Sequence, residues 1–164
     1  MKQHVILFFL FTFSFAARSQ TIESITADSI IKFSKKQIGI KYSYANCSPN
    51  KGFDCSGFVF YVFNHFNINV PRASMDYEKM GRVISSDSAM PGDIIVFTGT
   101  DSKNRHPGHV GIILSRPGRE LSFIHSSSSK KAPGVKISTY KESPVYKIRF
   151  IKIIRLMSIC NPKL

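Results

Sequence analysis

One cysteine and two histidines in this 164-residue chain have the types and settings needed for nucleophilic attack on a carbonyl. Cys55 opens an apolar run in which Phe58, Val59, Val62 and Phe66 follow at i+3, i+4, i+7 and i+11, one face of a helix. Asp54 stands just before it, at the expected N-cap. A cysteine in the first turn meets unpaired N–H groups and the positive end of the helix dipole, both of which favour thiolate over thiol. Taken alone, Cys55 reads better as a small core residue. The histidines change that balance. His109 opens a predicted strand immediately after Gly108, and His125 closes another, on the face of Leu121 and Phe123. If the two strands are antiparallel neighbours, the rings meet at one edge of the sheet. A nucleophilic thiol needs an imidazole to hold its proton, and that imidazole needs a polar partner to fix its tautomer. Cys55, His109 and His125 can fill the three roles. His4 falls in an N-terminal leader, His65 lies off the face of Cys55, and His106 sits in a polar loop. The separations of Cys55, His109 and His125 match no structural zinc spacing, so neither a metal nor a cofactor is expected.

These residues require elements to position them. Residues 26–38 read as an amphipathic helix with Asp28 near its start, Lys35 and Lys36 in its last turn and Gly39 as its stop. A loop over 40–54 precedes the cysteine helix, which runs to about Phe66 and is ended by Asn67, Asn69 and Pro71. A short helix near Ser74–Met80 is closed by Gly81. Strands are expected at Asp93–Phe97, His109–Leu114, Glu120–His125 and Val135–Ile137, with a polar loop at Thr98–Gly108 and a mobile loop at Ser126–Gly134. Lys147–Leu156 alternates basic and apolar residues and slips phase at Phe150-Ile151 and at Ile153-Ile154, which reads as one bulged strand. Helices followed by a run of strands indicate an α+β fold.

Hydrophobic residues make up 43% of the chain, enough for one globular domain. Lys2 followed by the apolar run Val5–Ala17 and the small-x-small site Ala17-Arg18-Ser19 reads as a secretory signal peptide over residues 1–19, leaving 20–164 as a single domain. Export to the periplasm or cell exterior is expected. No cysteine lies near the cleavage point, so the protein is not read as a lipoprotein. The formal charge of +13 draws polyanions by long-range steering. Export and the lack of a nucleic-acid motif argue against nucleic acid and for an anionic envelope surface. Solubility alone accounts for the charge equally well. With three cysteines one is left over, and a Cys47–Cys160 pair is an open guess.

Phe53-Asp54-Cys55-Ser56-Gly57-Phe58-Val59 resembles the nucleophile motif of the NlpC/P60 family of cell-wall cysteine peptidases. Val70-Pro71-Arg72-Ala73-Ser74, Pro91-Gly92-Asp93-Ile94, His109-Val110-Gly111-Ile112 and Phe123-Ile124-His125-Ser126 resemble further segments of that family, in its order. The resemblance spans about residues 27–155. It implies a papain-like α+β domain, with the cysteine helix packed on an antiparallel sheet. It also implies hydrolysis of an amide in peptidoglycan stem peptides, at γ-D-glutamyl–diamino acid or D-alanyl–diaminopimelate bonds. Cys55 is then the nucleophile, His109 the proton carrier and His125 its orienter. Tyr42, Asp54, Ser56 and Arg72 fall at substrate-binding positions. Ala45-Asn46 stands where the family often has Gly-Gly, and Tyr77 where it often has glutamine, which leaves the shape of the subsites open. A papain-like amidase or acyltransferase on another wall or lipid amide, or a non-catalytic wall-binding module, are the rival readings.

Overall fold

The computed structural model describes residues 26–141 and 144–156. Residues 1–19, read above as a signal peptide, and Cys160 lie outside the described residues, and with them the expected cleavage site and the Cys47–Cys160 pair. Thr26 caps the first helix, α1 (Ala27–Lys35), by accepting from the Ser29 amide. The helix ends three residues short of the predicted 38, where Lys36 closes it and the chain turns through Gly39, at φ 88°. Two short strands, β1 (Cys47–Ser48) and β2 (Gly52–Phe53), form a small hairpin that leads straight into α2 (Cys55–Asn64). The predicted extension of α2 to Phe66 is replaced by a turn in which Asn67 takes a φ of 56°. Asn tolerates that left-handed conformation because its short polar side chain bonds locally.

The remaining strands build one antiparallel sheet. A 3₁₀ turn at Ser74–Lys79 precedes β3 (Arg82–Ile84), an element the sequence pattern did not show. Then come β4 (Ile94–Thr98), β5 (Pro107–Ile113), β6 (Ser122–Ser127) and β7 (Gly134–Thr139). A short helix, α3 (Pro144–Arg149), leads into β8 (Phe150–Arg155). The strand order is β3-β8-β4-β5-β6-β7. The fold is α+β and papain-like in layout, with α2 against the sheet.

Apolar layers cover both faces. Ile94, Val96, Val110, Ile112, Ile124 and Ile154 pack with Phe53, Phe58, Val59, Val62 and Phe63 on the α2 side. Ile95, Phe97, Ile113, Phe123 and Ile153 form a second cluster, with Tyr140, Tyr146 and Phe150 against it. Two covered faces explain why β4 reads as unbroken apolar sequence rather than alternation.

Two corrections concern the C-terminal segment. Lys147–Arg149 belongs to α3 rather than to a strand, since Pro144 supplies a preset first helical residue. The slip at Phe150-Ile151 is a bulge: Val96 pairs with Lys152 and Phe97 with Phe150, leaving Ile151 extra. No slip occurs at Ile153-Ile154, which pair regularly with Ile95 and Ile94 and bury into opposite layers. The histidines also sit differently within their strands. β5 begins two residues before His109 and β6 runs two beyond His125, so both lie inside strands. Those strands are antiparallel neighbours in the sheet interior rather than at its edge.

Candidate active site

Asp54 builds the start of α2. Its Oδ1 accepts from the Gly57 amide at 2.6 Å, an N-cap contact that satisfies one orphan donor of the first turn. Arg72 grips the same carboxylate with two nitrogens, Nη1 to Oδ1 at 3.0 Å and Nη2 to Oδ2 at 2.8 Å, and reaches Ser56 Oγ at 3.3 Å. Asp54, Ser56 and Arg72 are therefore brought together, one residue from the thiol. Tyr42 joins them, bridged to Phe53 by the backbone. Burial, and then the nearby Cys55 and Asp54, push its phenol pKa up. Gly57 admits no side chain, because a Cβ there would stand 2.2 Å from the Asn46 carbonyl oxygen. Asp54→Ala removes the cap and leaves Arg72 unpaired. With Arg72 about a third exposed, the loss is about 2 kcal/mol of folding stability, read as a lower urea midpoint at unchanged m-value.

Cys55 is buried, and its Sγ lies 3.9 Å from the Gly108 carbonyl oxygen, at the mouth of β5. The expected thiolate is not the resting form. Burial pushes the thiol pKa up, the Val110 amide pulls it down, Asp54 raises it, and the Ser56 and Cys55 amides lower it. Desolvation outweighs the helix-start donors.

The next residue, His109, pairs across the ladder with Phe97, and the two histidines rest on a bed of Phe97, Phe123 and Tyr146. His109 Nε2 and His125 Nδ1 are 2.9 Å apart. His125 Nε2 lies 2.9 Å from Ser138 Oγ and 3.3 Å from the Tyr146 hydroxyl. In the tautomer set that frees His109 Nδ1 to act as a base, His109 donates through Nε2–H to His125 Nδ1, and His125 donates through Nε2–H to Ser138. That leaves His109 Nδ1 with a lone pair. Gly111 makes the approach of the rings possible, since a Cβ there would stand 3.0 Å from the Ile124 carbonyl and 3.2 Å from His125 Cβ.

Burial, with Arg149 adding repulsion, lowers the His109 pKa to about 3. Burial first, and then the charges of His109, Lys136 and Arg149, hold His125 well below the usual imidazole range. Both rings are neutral at pH 7, and so is the Cys55 thiol. Below about pH 6.5 the unfolded chain takes up protons at these positions that the folded chain refuses. Their contribution is therefore intact above that pH and is lost as pH falls towards 3. The melting temperature should be lower at pH 4.5 than at pH 7.5, with a smaller drop in His109→Gln. An equal drop in both proteins would refute the linkage.

Sequence reasoning missed Ser138 and Tyr146. Ser138 lies two residues along β7 from Lys136, the ladder partner of His125, so it shares the face of that ring. The predicted strand stopped one residue short of it. Tyr146 rides on α3, whose helical nature the alternation of Lys147–Leu156 concealed.

The sequence signature of the NlpC/P60 family matches residues 39–155, which contain all of these groups. The chain belongs to the NlpC/P60 family. The chain is 30% identical over 131 residues to a γ-DL-glutamyl hydrolase of Bacillus subtilis (strain 168), covering 80% of this chain and 30% of that protein. It is 34% identical over 121 residues to a murein DD-endopeptidase/murein LD-carboxypeptidase of Escherichia coli (strain K12), covering 73% of this chain and 57% of that one. The chain thus spans well under two thirds of the length of both relatives. Its fold superposes on the crystal structure of an NlpC/P60 family protein from Bacillus cereus with a TM-score of 0.69 at 28% identity, covering 82% of this chain and 41% of the other.

The departures from family pattern have structural accounts in this NlpC/P60 domain. Ala45 holds a φ of 57°, a conformation that glycine adopts without strain. Asn46 locks the loop before α2: its Nδ2 donates to Ser43 Oγ and the Tyr44 carbonyl, and its own carbonyl accepts from the Asp54 amide. Tyr77 is a core residue rather than a pocket lining, and its hydroxyl donates to the Pro71 carbonyl at 3.0 Å, anchoring the segment that delivers Arg72.

Proposed function

We propose that this NlpC/P60 domain is the catalytic part of an exported cysteine endopeptidase acting on peptidoglycan stem peptides, at a γ-D-glutamyl–diamino acid or D-alanyl–diaminopimelate bond. The observation that carries the reading is the hydrogen-bonded row His109–His125–Ser138 beginning one residue from the carbonyl beside Cys55 Sγ. The relatives named as a γ-DL-glutamyl hydrolase and a murein endopeptidase support the substrate class. The leader-like run behind Lys2 supports export, and the charge of +13 supports attraction to an anionic envelope.

In this mechanism a neutral pair is activated on demand. Cys55 Sγ attacks the amide carbon while His109 Nδ1 takes the thiol proton. The Cys55 backbone N–H, a first-turn donor, faces the developing oxyanion. His109 Nδ1–H then protonates the leaving amine, giving an acyl-enzyme. Water attacks the thioester, passes a proton through His109, and restores the thiol. His125 accepts from His109 Nε2–H throughout and fixes the ring's orientation, and Ser138 and Tyr146 hold His125 in turn. Tyr42, Asp54, Ser56 and Arg72 line the approach to the acyl side, where paired carboxylate and guanidinium groups suit a zwitterionic peptide end.

Incubating the protein with purified sacculi and weighing the released muropeptides by mass spectrometry tests the reading. Products separated at one of the two amide bonds are expected. An intact muropeptide profile, or release at the glycan–L-alanine bond, would overturn it.

A further inference from the structure

A cavity of about 520 Å³ opens beside the histidine row, and neither Asp54 nor Arg72 is part of its lining. His109 itself forms part of its wall, with Tyr146 and Ser138, the two groups that hold His125. Its charged lining is all of one sign: Lys136 from β7 and Arg149 from α3, with no carboxylate among the described lining residues. The rest of its polar wall is supplied largely by the hydroxyls of Thr100 and of Ser127 to Ser129.

Neither cation has a carboxylate partner among the described residues, whereas Arg72 and Arg155 are each paired with an aspartate. Arg149 is oriented from behind. Its Nε and Nη2 both donate to the Thr98 carbonyl, at 3.2 and 2.7 Å, which leaves the Nη1 hydrogens unspent among the described residues. A guanidinium held by one edge and open at another is preorganised for an anionic oxygen.

The chemistry of the row says which half of a substrate enters. The ring that protonates the leaving amine must face the leaving fragment, so a cavity walled by that ring receives the amine side of the scissile bond. We infer that this cavity is the leaving-group subsite and that Lys136 and Arg149 select a leaving amino acid bearing a free carboxylate. The inference rests on the peptidase reading above and adds to it the charge state of the fragment released.

The test uses two matched peptides with the same acyl half, chosen from the bond cut in sacculi. Their leaving amino acid carries either a free carboxylate or the corresponding carboxamide. The wild-type protein should prefer the carboxylate form by about tenfold or more in kcat/KM, mainly through KM, because a charge-assisted contact is lost in the amide. Raising the ionic strength should narrow the preference. In Lys136→Met and in Arg149→Met it should fall below about threefold. Arg149→Met also loses its hold on the 98–99 backbone, so Lys136→Met serves as the variant less exposed to misfolding, with thermal unfolding recorded for both. Equal cleavage of the two peptides by wild type, or an unchanged preference in both folded variants, overturns the subsite and leaves the peptidase reading standing. Cleavage of neither peptide overturns both.

Discussion

Cys55→Ala should lower kcat for muropeptide release by at least about 10⁴-fold, because in the proposed mechanism it is the Cys55 thiol that forms the acyl-enzyme. The second free thiol among the described residues, Cys47, lies on β1, where it pairs with Phe53 in the hairpin before α2. The loss should come without unfolding. Cys55 has one small side chain on a helix whose start is set by Asp54 and Arg72, so the melting temperature should drop by no more than a few degrees. Thermal unfolding and product release measured on the same sample separate the two effects. Release within tenfold of wild type would refute the assignment of the nucleophile.

His109→Gln should cost about 10³-fold in kcat. Glutamine retains a donor for His125 Nδ1 but has no basic nitrogen to take the thiol proton, so the row survives while proton transfer does not. The wild-type pH profile distinguishes this mechanism from one based on a resting ion pair. His109 must be unprotonated to act as base, and it becomes protonated only as pH falls towards about 3. Activity should therefore persist from pH 7 down to pH 5 instead of halving near the ordinary imidazole value of about 6.5. Burial also raises the thiol pKa, so no fall is expected between pH 7 and 8 through loss of a required proton. A kcat/KM profile with an acid midpoint near 6.5 would show that the buried neutral pair is not the working form.

The motif-bearing positions were legible in the chain because local rules set them. An aspartate before an apolar helical period makes an N-cap, and Asp54 caps α2 by its contact with the Gly57 amide. Alternation placed His125 on the face of Phe123, and antiparallel pairing of the two strands then brought the histidines together. The helix at 144–149 was hidden because six residues give less than two turns of periodicity, and a basic–apolar alternation imitates a strand over that length.

What the sequence determined by itself was the inventory and order of the candidate site groups: a helix-capping carboxylate, a first-turn thiol and two strand-borne imidazoles. Each follows from residue type and spacing within a dozen positions. Their protonation states were decided only by the tertiary structure. The helix start favours thiolate, yet burial beneath the mouth of β5 reverses that preference, and the aromatic bed of Phe97, Phe123 and Tyr146 keeps both imidazoles neutral. The terminal partners Ser138 and Tyr146, and the cationic cavity of Lys136 and Arg149, likewise exist only once β7 and α3 close around β6. Desolvation and charge summation depend on everything packed around a group, and the chain order does not carry that information.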